Sequence, residues 1–309
     1  MCSPDKFLAA RFWSIQVKPD VAIIGVGLIG GSFGMAVKKR GLAGKVIGVG
    51  RNPERLQRAV ELKAIDSWST ELESSVRDVD LIYISTPVGL ELDFIQRAVQ
   101  VAKAGCIITD AGSTKFEICM GADSLMRNGV SFVGGHPMAG SDAAGVETAD
   151  ADLFEDAAYV LTPTENTNPE ALAGLRHLAE AIGSRVITMN PEAHDRCAAV
   201  ISHLPHVIAA ALVSLAKSRS LNDPQLLELI AGSFRDMTRV TGSPSVLWRD
   251  ICLTNAEGIG AAAEDFSKTL EEGLKLIKSG NAEALEDWFN RAKQVRDSLF
   301  PQDRTKNCP

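Results

Sequence analysis

The densest gathering of groups able to do chemistry is Gly134-Gly135-His136-Pro137-Met138-Ala139-Gly140-Ser141-Asp142. It follows the apolar run Val130-Ser131-Phe132-Val133, which reads as a short strand, so His136 is expected at a strand end among glycines that let a ligand approach the backbone. An imidazole there suits proton acceptance, because its ordinary pKa of about 6.5 needs little shifting to be useful near neutral pH. The competing reading is a histidine hydrogen-bonded inside a tight loop.

Three further stretches carry candidate groups. Asp110-Ala111-Gly112-Ser113-Thr114-Lys115 offers Ser113 as a contact for a substrate or cofactor, or alternatively as the N-cap of a helix from Thr114. Ser202-His203-Leu204-Pro205-His206 puts two histidines three apart, close to one face of a helix that Pro205 disturbs. Gly232-Ser233-Phe234-Arg235-Asp236-Met237-Thr238-Arg239 and Trp248-Arg249-Asp250 set cations beside aromatic surface. Arg239 suits the carboxylate of a small acidic substrate, which a guanidinium grips with two hydrogen bonds, and Asp236 could orient Arg239 or His206.

These groups need a frame, and the chain supplies one from Asp20. Val21-Ala22-Ile23-Ile24 is continuously apolar, as buried parallel strands are. Gly25-Val26-Gly27-Leu28-Ile29-Gly30 follows, then a helical stretch, Gly31 to Arg40, closed by Gly41, and a second strand, Val46-Ile47-Gly48-Val49. That order is the context of a dinucleotide-binding fingerprint: Gly25 for the turn, Gly27 for the pyrophosphate, Gly30 for helix packing, and the helix N-terminus for the phosphates. The second strand ends on Gly50-Arg51, without the carboxylate that marks NAD. Arg51 could hold a 2'-phosphate, which favours NADP over NAD; the alternative is a solvated arginine before a helix from Pro53.

Alternation continues through strands at Leu81-Ile82-Tyr83-Ile84 and Cys106-Ile107-Ile108-Thr109. Ser85-Thr86-Pro87 follows the first at a carboxyl end, where ligands lie in open parallel sheets. Ala157 to Leu161 and Arg185 to Met189 read as strands flanking a helix from Pro169 to Ile182; beyond Pro191 the periodicity is helical to Leu299. The expected fold is therefore α/β: a doubly wound, mostly parallel sheet domain over residues 20–190, followed by an all-α domain over 191–301. Residues 1–19 are an extension and 302–309 a tail.

The totals exclude several classes. With 39 acidic against 32 basic residues the net charge is -7, and no basic run is dense enough to track nucleic acid. Six scattered cysteines, without close pairs, argue for reduced thiols in a cytoplasmic protein and against a zinc site or disulfide framework. The apolar run near the N-terminus is too short for a signal peptide or a membrane span.

Taken in order, the glycine turn at Gly25 to Ser32, Asp110 to Lys115, Gly135 to Gly140, Ser202 to His206, Phe234 to Arg239 and Trp248 to Asp250 resemble the prephenate and arogenate dehydrogenases of tyrosine biosynthesis. The resemblance spans about Val21 to Phe300. It implies oxidative decarboxylation of a cyclohexadienyl ring with hydride passing to NAD or NADP, and a homodimer made by the helical domain. It further implies that His136 is the catalytic histidine and that Ser113 holds the substrate hydroxyl. Arg239 would grip a carboxylate, His206 would line the side-chain end, and His203 and Trp248 would line the pocket.

Many members have threonine and glutamate where this chain has Ser141 and Asp142. A carboxylate at Asp142 would favour the ammonium of arogenate, so both substrates are expected to be accepted. A regulatory or mutase domain is not expected before Asp20 or after Phe300. Two rivals remain: a β-hydroxyacid dehydrogenase, which would need a helical-domain lysine beside the cluster, and a non-catalytic NAD(P) sensor, which would have no use for His136, Ser113 and Arg239 together.

Overall fold

The structure, a computed structural model, describes residues 18–140 and 144–300. β1 (Val21–Ile24) runs into helix α1 (Leu28–Lys39), then β2 (Val46–Val49) and α2 (Pro53–Glu61). β3 (Ser67–Ser69), α3 (Leu72–Val76), β4 (Leu81–Ile84), α4 (Glu91–Val101), β5 (Ile107–Asp110) and α5 (Phe116–Leu125) continue the alternation. β6 (Ser131–Pro137), β7 (Ala158–Thr162), α6 (Pro169–Ala181) and β8 (Arg185–Thr188) complete a sheet ordered β3-β2-β1-β4-β5-β6-β7-β8. Only the β6–β7 pair is antiparallel.

All four residues of β1 are buried because its alternate side chains enter two different cores. Val21 and Ile23 join Phe33 and Val37 of α1 on one face, while Ala22 and Ile24 join Ile95 and Val99 of α4 on the other. The sheet is therefore doubly wound, with the fold class the sequence implied. Strand β3 escaped detection because its three residues, Ser67-Trp68-Ser69, carry too little apolar pattern.

Beyond β8 the chain is helical. α7 (Pro191–Ala198) is opened by Asn190, whose side chain accepts the Ala193 N–H at 2.7 Å, with Pro191 at its first position. A π-helical stretch (Ala199–His203) leads into α8 (Leu204–Arg219); α9 (Gly232–Thr238) and α10 (Ser245–Thr254) follow. The continuous run Pro191–Arg219 has the length and apolarity to cross a bilayer. Within it, however, His194, Asp195 and His203 are buried and bonded to the sheet domain or to Asn255.

The chain divides into two compact units after Gly258. The junction expected near Asn190 therefore lies inside the first unit, where Asp195 and His194 tie α7 to α5 and β6. The second unit holds most of α11 (Ala256–Ser279) and all of α12 (Ala282–Leu299), which pack through Gly273 against the Trp288 ring. Among the described residues Cys106, Cys119, Cys197 and Cys252 are free thiols.

Candidate active site

The glycine turn between β1 and α1 is built for close approach. Gly25 has φ +91°, and a Cβ there would lie 2.6 Å from the Ser85 carbonyl oxygen. A Cβ on Gly30 would lie 2.2 Å from the Gly25 oxygen, so helix and strand meet at van der Waals limits. Gly27, in contrast, has nothing within 4 Å of where its Cβ would be, and no side chain caps α1. The open ground above Gly27 and the uncapped N–H groups of the first turn, at Leu28 and Ile29, form a cradle that fits a pyrophosphate. The helix begins at Leu28, three residues earlier than the sequence pattern suggested, because Gly27 already serves as its N-cap.

Ser85, expected as a cofactor contact, also has a structural bond. Its hydroxyl donates to the Gly25 carbonyl at 2.7 Å, so it fastens the turn to β4. Thr86 Oγ1 is buried without a partner, and Pro87 precedes a short 3-10 turn, Val88–Leu90. Arg51 is exposed one residue past Gly50 at the carboxyl end of β2, and Asn52 caps α2.

His136 lies inside β6 and not beyond it. The strand continues four residues past Val133, pairing Gly134 with Thr162 and His136 with Val160. The glycines serve close packing instead of a turn: a Cβ on Gly134 would sit 2.3 Å from Thr162 Oγ1, and one on Gly135 would sit 2.7 Å from the Asp110 carbonyl oxygen.

Two residues outside the expected set, His194 and Asp195, organise His136. Its Nδ1 is 2.8 Å from His194 Nε2, and His194 Nδ1 is 2.7 Å from Asp195 Oδ1. Asp195 Oδ1 also accepts the Lys115 N–H at 2.7 Å, and its Oδ2 accepts the Phe116 N–H at 2.9 Å. Asp195 thereby caps α5 from a different helix, which displaces Ser113 from the N-cap role and moves the helix start from Thr114 to Phe116. The His136 ring is 8% exposed, and burial, with His194, Lys115 and His203 nearby, holds its pKa well below 6.5. It is therefore neutral at physiological pH.

A second group adjoins the first. His203 is fully buried; Asn255 Nδ2 donates to its Nδ1 at 3.1 Å and to the Asp195 carbonyl at 2.8 Å. Burial lowers the His203 pKa to about 4, opposed by Asp195 and by the backbone of Ser113, which lies beside the ring. His206 stacks on Trp248 with ring centroids 3.5 Å apart, and its Nδ1 faces the Ser202 carbonyl at 3.0 Å. The π-helical turn before Leu204 lets the chain keep Pro205 at the start of α8 while burying His203 and leaving His206 half exposed. His203 Nε2 and Trp248 Nε1 are buried N–H positions without a hydrogen-bond partner, a feature of pockets that complete their bonds with a ligand.

Under these groups lies a buried charged floor. Lys115 Nζ donates to Asp110 Oδ2 and, at 2.9 Å, to the Gly135 carbonyl; Asp110 also accepts the N–H groups of Gly112 and Gly135. Desolvation lowers the Lys115 pKa, opposed by Glu91, Cys119 and Asp195. Glu91 is fully buried with neither oxygen bonded, and desolvation raises its pKa to about 8, so it is a neutral carboxyl at pH 7.

The structure thus draws together His136, Ser113, His203, His206 and Trp248. Arg239 begins a short 3-10 turn, Arg239–Gly242, packed on α8; it and Asp236 of α9 are exposed on this unit. Ser141 and Asp142 lie outside the described residues. His194, Asp195, Asn255 and Glu91 escaped sequence reasoning. An adjacent His-Asp pair in the first turn of a helix was the one visible signal for the first two.

A glycine cradle at the head of a doubly wound sheet, with a buried neutral histidine on a nearby strand, defines a nicotinamide-dependent oxidoreductase. Comparison with known proteins narrows the class. The model of the prephenate dehydrogenase nucleotide-binding domain matches residues 33–188, and that of the prephenate dehydrogenase dimerization domain matches residues 190–291. The chain belongs to the prephenate dehydrogenase family. Prephenate dehydrogenase of Bacillus subtilis is 35% identical over 92% of this chain and 77% of its own length. Cyclohexadienyl dehydrogenase of Zymomonas mobilis is 33% identical over 92% of this chain and 97% of its own. The crystal structure of Aquifex aeolicus prephenate dehydrogenase with hydroxyphenyl propionate and NAD+ superposes with a TM-score of 0.87 at 34% identity, covering 93% of this chain and 99% of that one.

Proposed function

We propose that this protein catalyses the oxidative decarboxylation of prephenate, arogenate or both in tyrosine biosynthesis, with His136 as the base. The observation that carries this reading is His136 itself: buried, kept neutral, and held by a second imidazole at the carboxyl end of the sheet. A nicotinamide dinucleotide in the Gly25 to Gly30 cradle supplies the hydride acceptor.

The residues of the chain account for the rest. His136 takes the proton from the ring hydroxyl as the carbon bearing it is oxidised to a carbonyl. Carbon dioxide then leaves, its bonding electrons close the aromatic ring, and the former carbonyl oxygen takes the proton back from His136 to become a phenol. Aromatisation supplies driving force, so the protein's work is orientation and placement of charge. Ser113 would hold the hydroxyl beside His136, and the unmet N–H positions of His203 and Trp248 would bond substrate oxygens. Arg239 would grip a carboxylate, with Asp236 orienting it and His206 lining the side-chain end.

Arg51 at the end of β2 supports NADP over NAD. Asp142 supports acceptance of arogenate, by charge. The family's dimerization domain and the exposed Ile201, Leu221, Leu229 and Met237 support a homodimer, and the scattered thiols a cytoplasmic one. Initial rates over the four combinations of substrate and cofactor test the reading. Reduced cofactor is expected with at least one combination, and none at all would leave the sensor alternative in place.

A further inference from the structure

We propose that His194 and Asp195 are positioning residues that fix His136 as its Nδ1–H tautomer, leaving Nε2 bare to take the substrate proton. The inference rests on the reading of His136 as the base and names what makes it one.

The tautomer follows from a chain of hydrogen-bond valences that begins at a helix end. Asp195 accepts two backbone N–H groups, from Lys115 and Phe116, at the N-terminus of α5. With both oxygens committed as acceptors of backbone N–H groups at a helix N-terminus, the Asp195 side chain acts in this network as an acceptor. His194 Nδ1, 2.7 Å from Asp195 Oδ1, must therefore be the donor of that pair. In a neutral imidazole the other nitrogen is then an acceptor, so His194 Nε2 offers a lone pair to His136 at 2.8 Å. His136 Nδ1 must carry the hydrogen, and its Nε2 must be bare. Had His194 presented an N–H instead, the single proton of neutral His136 would sit on Nε2 and no base would remain.

Every ionisable neighbour has a place in this arrangement. Lys115 of α5 is matched by Asp110 of β5, and His203 of the π-helical turn bonds Asn255 through Nδ1. Glu91 of α4 lies beyond Gly112, without a bond to either histidine. Asp195 is thus the acceptor that orders the histidine pair. When His136 takes a proton at Nε2, its Nδ1–H remains bonded to His194, and the imidazolium faces the Asp195 carboxylate through that ring. The proton moves from the substrate oxygen to His136 Nε2 as hydride leaves the ring carbon, and no proton shifts between His136, His194 and Asp195.

The test reads the tautomer directly. The chain has five histidines, so long-range proton–nitrogen spectra of the full-length protein contain five ring patterns, each assignable by one substitution. In the wild type His136 and His194 are both expected as Nδ1–H. His194→Gln keeps an acceptor toward His136 and a donor toward Asp195; His194→Leu keeps neither. The Leu variant is expected to shift His136 toward the Nε2–H form and to lose kcat by about 10- to 100-fold, part of what a general base contributes. Its KM for substrate should stay within about threefold, and the Gln variant should recover most of kcat. An Nε2–H pattern for wild-type His136, a Leu variant with undiminished kcat, or equal losses in both variants would overturn the proposal. If the Leu variant does not fold, the wild-type spectrum decides alone. His136→Asn separates the two readings: an active variant defeats His136 as the base, whereas an inactive one beside an unimpaired His194→Leu defeats only the positioning role.

Discussion

Gly135 and Asp110 clasp each other across β5 and β6: the Gly135 N–H donates to Asp110 Oδ1 at 3.1 Å, and a Cβ on Gly135 would lie 2.7 Å from the Asp110 carbonyl oxygen. The contact fixes the backbone just before His136, the next residue of β6, and Lys115 locks it by donating to both partners. Gly135→Ala must push backbone against backbone, since no flexible side chain can give way. Overpacking of that kind costs about 1–3 kcal/mol. Thermal unfolding should show a loss in this range, with kcat falling further than stability alone explains; a variant of unchanged melting temperature would contradict the close packing.

His136→Asn removes the base while keeping a polar group of similar reach. The expected loss in kcat is about 10^2- to 10^4-fold, with dinucleotide affinity unchanged. The pH profile gives an independent check. Because burial holds the His136 pKa well below 6.5, the base stays unprotonated through the pH range where an ordinary histidine titrates. The acid limb of kcat/KM for the wild type should therefore begin below pH 6.5, and a limb above it would speak against His136.

The dinucleotide cradle was legible in the sequence because its requirement is local: a strand, three spaced glycines and a helix follow one another, and the structure keeps that order while starting the helix at Leu28. His136 was legible as a residue but not in its setting. The Gly-Gly pair looks like a turn, and only the pairing of Gly134 with Thr162 and of Gly135 with Asp110 shows that it is packing. Ser85 and Ser113 were assigned by analogy with strand ends, yet Ser85 spends its hydroxyl on Gly25, and the capping that Ser113 might have done falls to Asp195, 80 residues from Lys115. Glu91 was invisible for a related reason. A glutamate that opens a helix reads as a favourable solvated charge until the other elements close over it.

Arg51→Ala tests the cofactor preference. If the guanidinium holds a 2'-phosphate by paired charge-assisted bonds, its loss should raise the KM for NADP by about tenfold, worth about 1.4 kcal/mol, and leave NAD within twofold. Steady-state kinetics with both cofactors checks it. An equal effect on both would mean that Arg51 is only a solvated charge ahead of α2.

Glu91 predicts how stability varies with pH. Its pKa in the folded protein is about 8 against an ordinary 4.5, so between these values the unfolded chain loses the proton that the native state keeps. Stability from this group is complete below pH 4.5 and is lost progressively as pH rises toward 8, at about 1.4 kcal/mol per unit. Glu91→Gln removes the titration and keeps the volume. Any constant cost of burying the amide cancels when one variant is compared with itself at two pH values. Between pH 6 and pH 8 the wild type should lose about 2 kcal/mol more than the variant, which chemical denaturation at the two pH values measures. Parallel losses would show that Glu91 is ionised or solvated in the folded protein, and that the buried Lys115 holds two carboxylates instead of one.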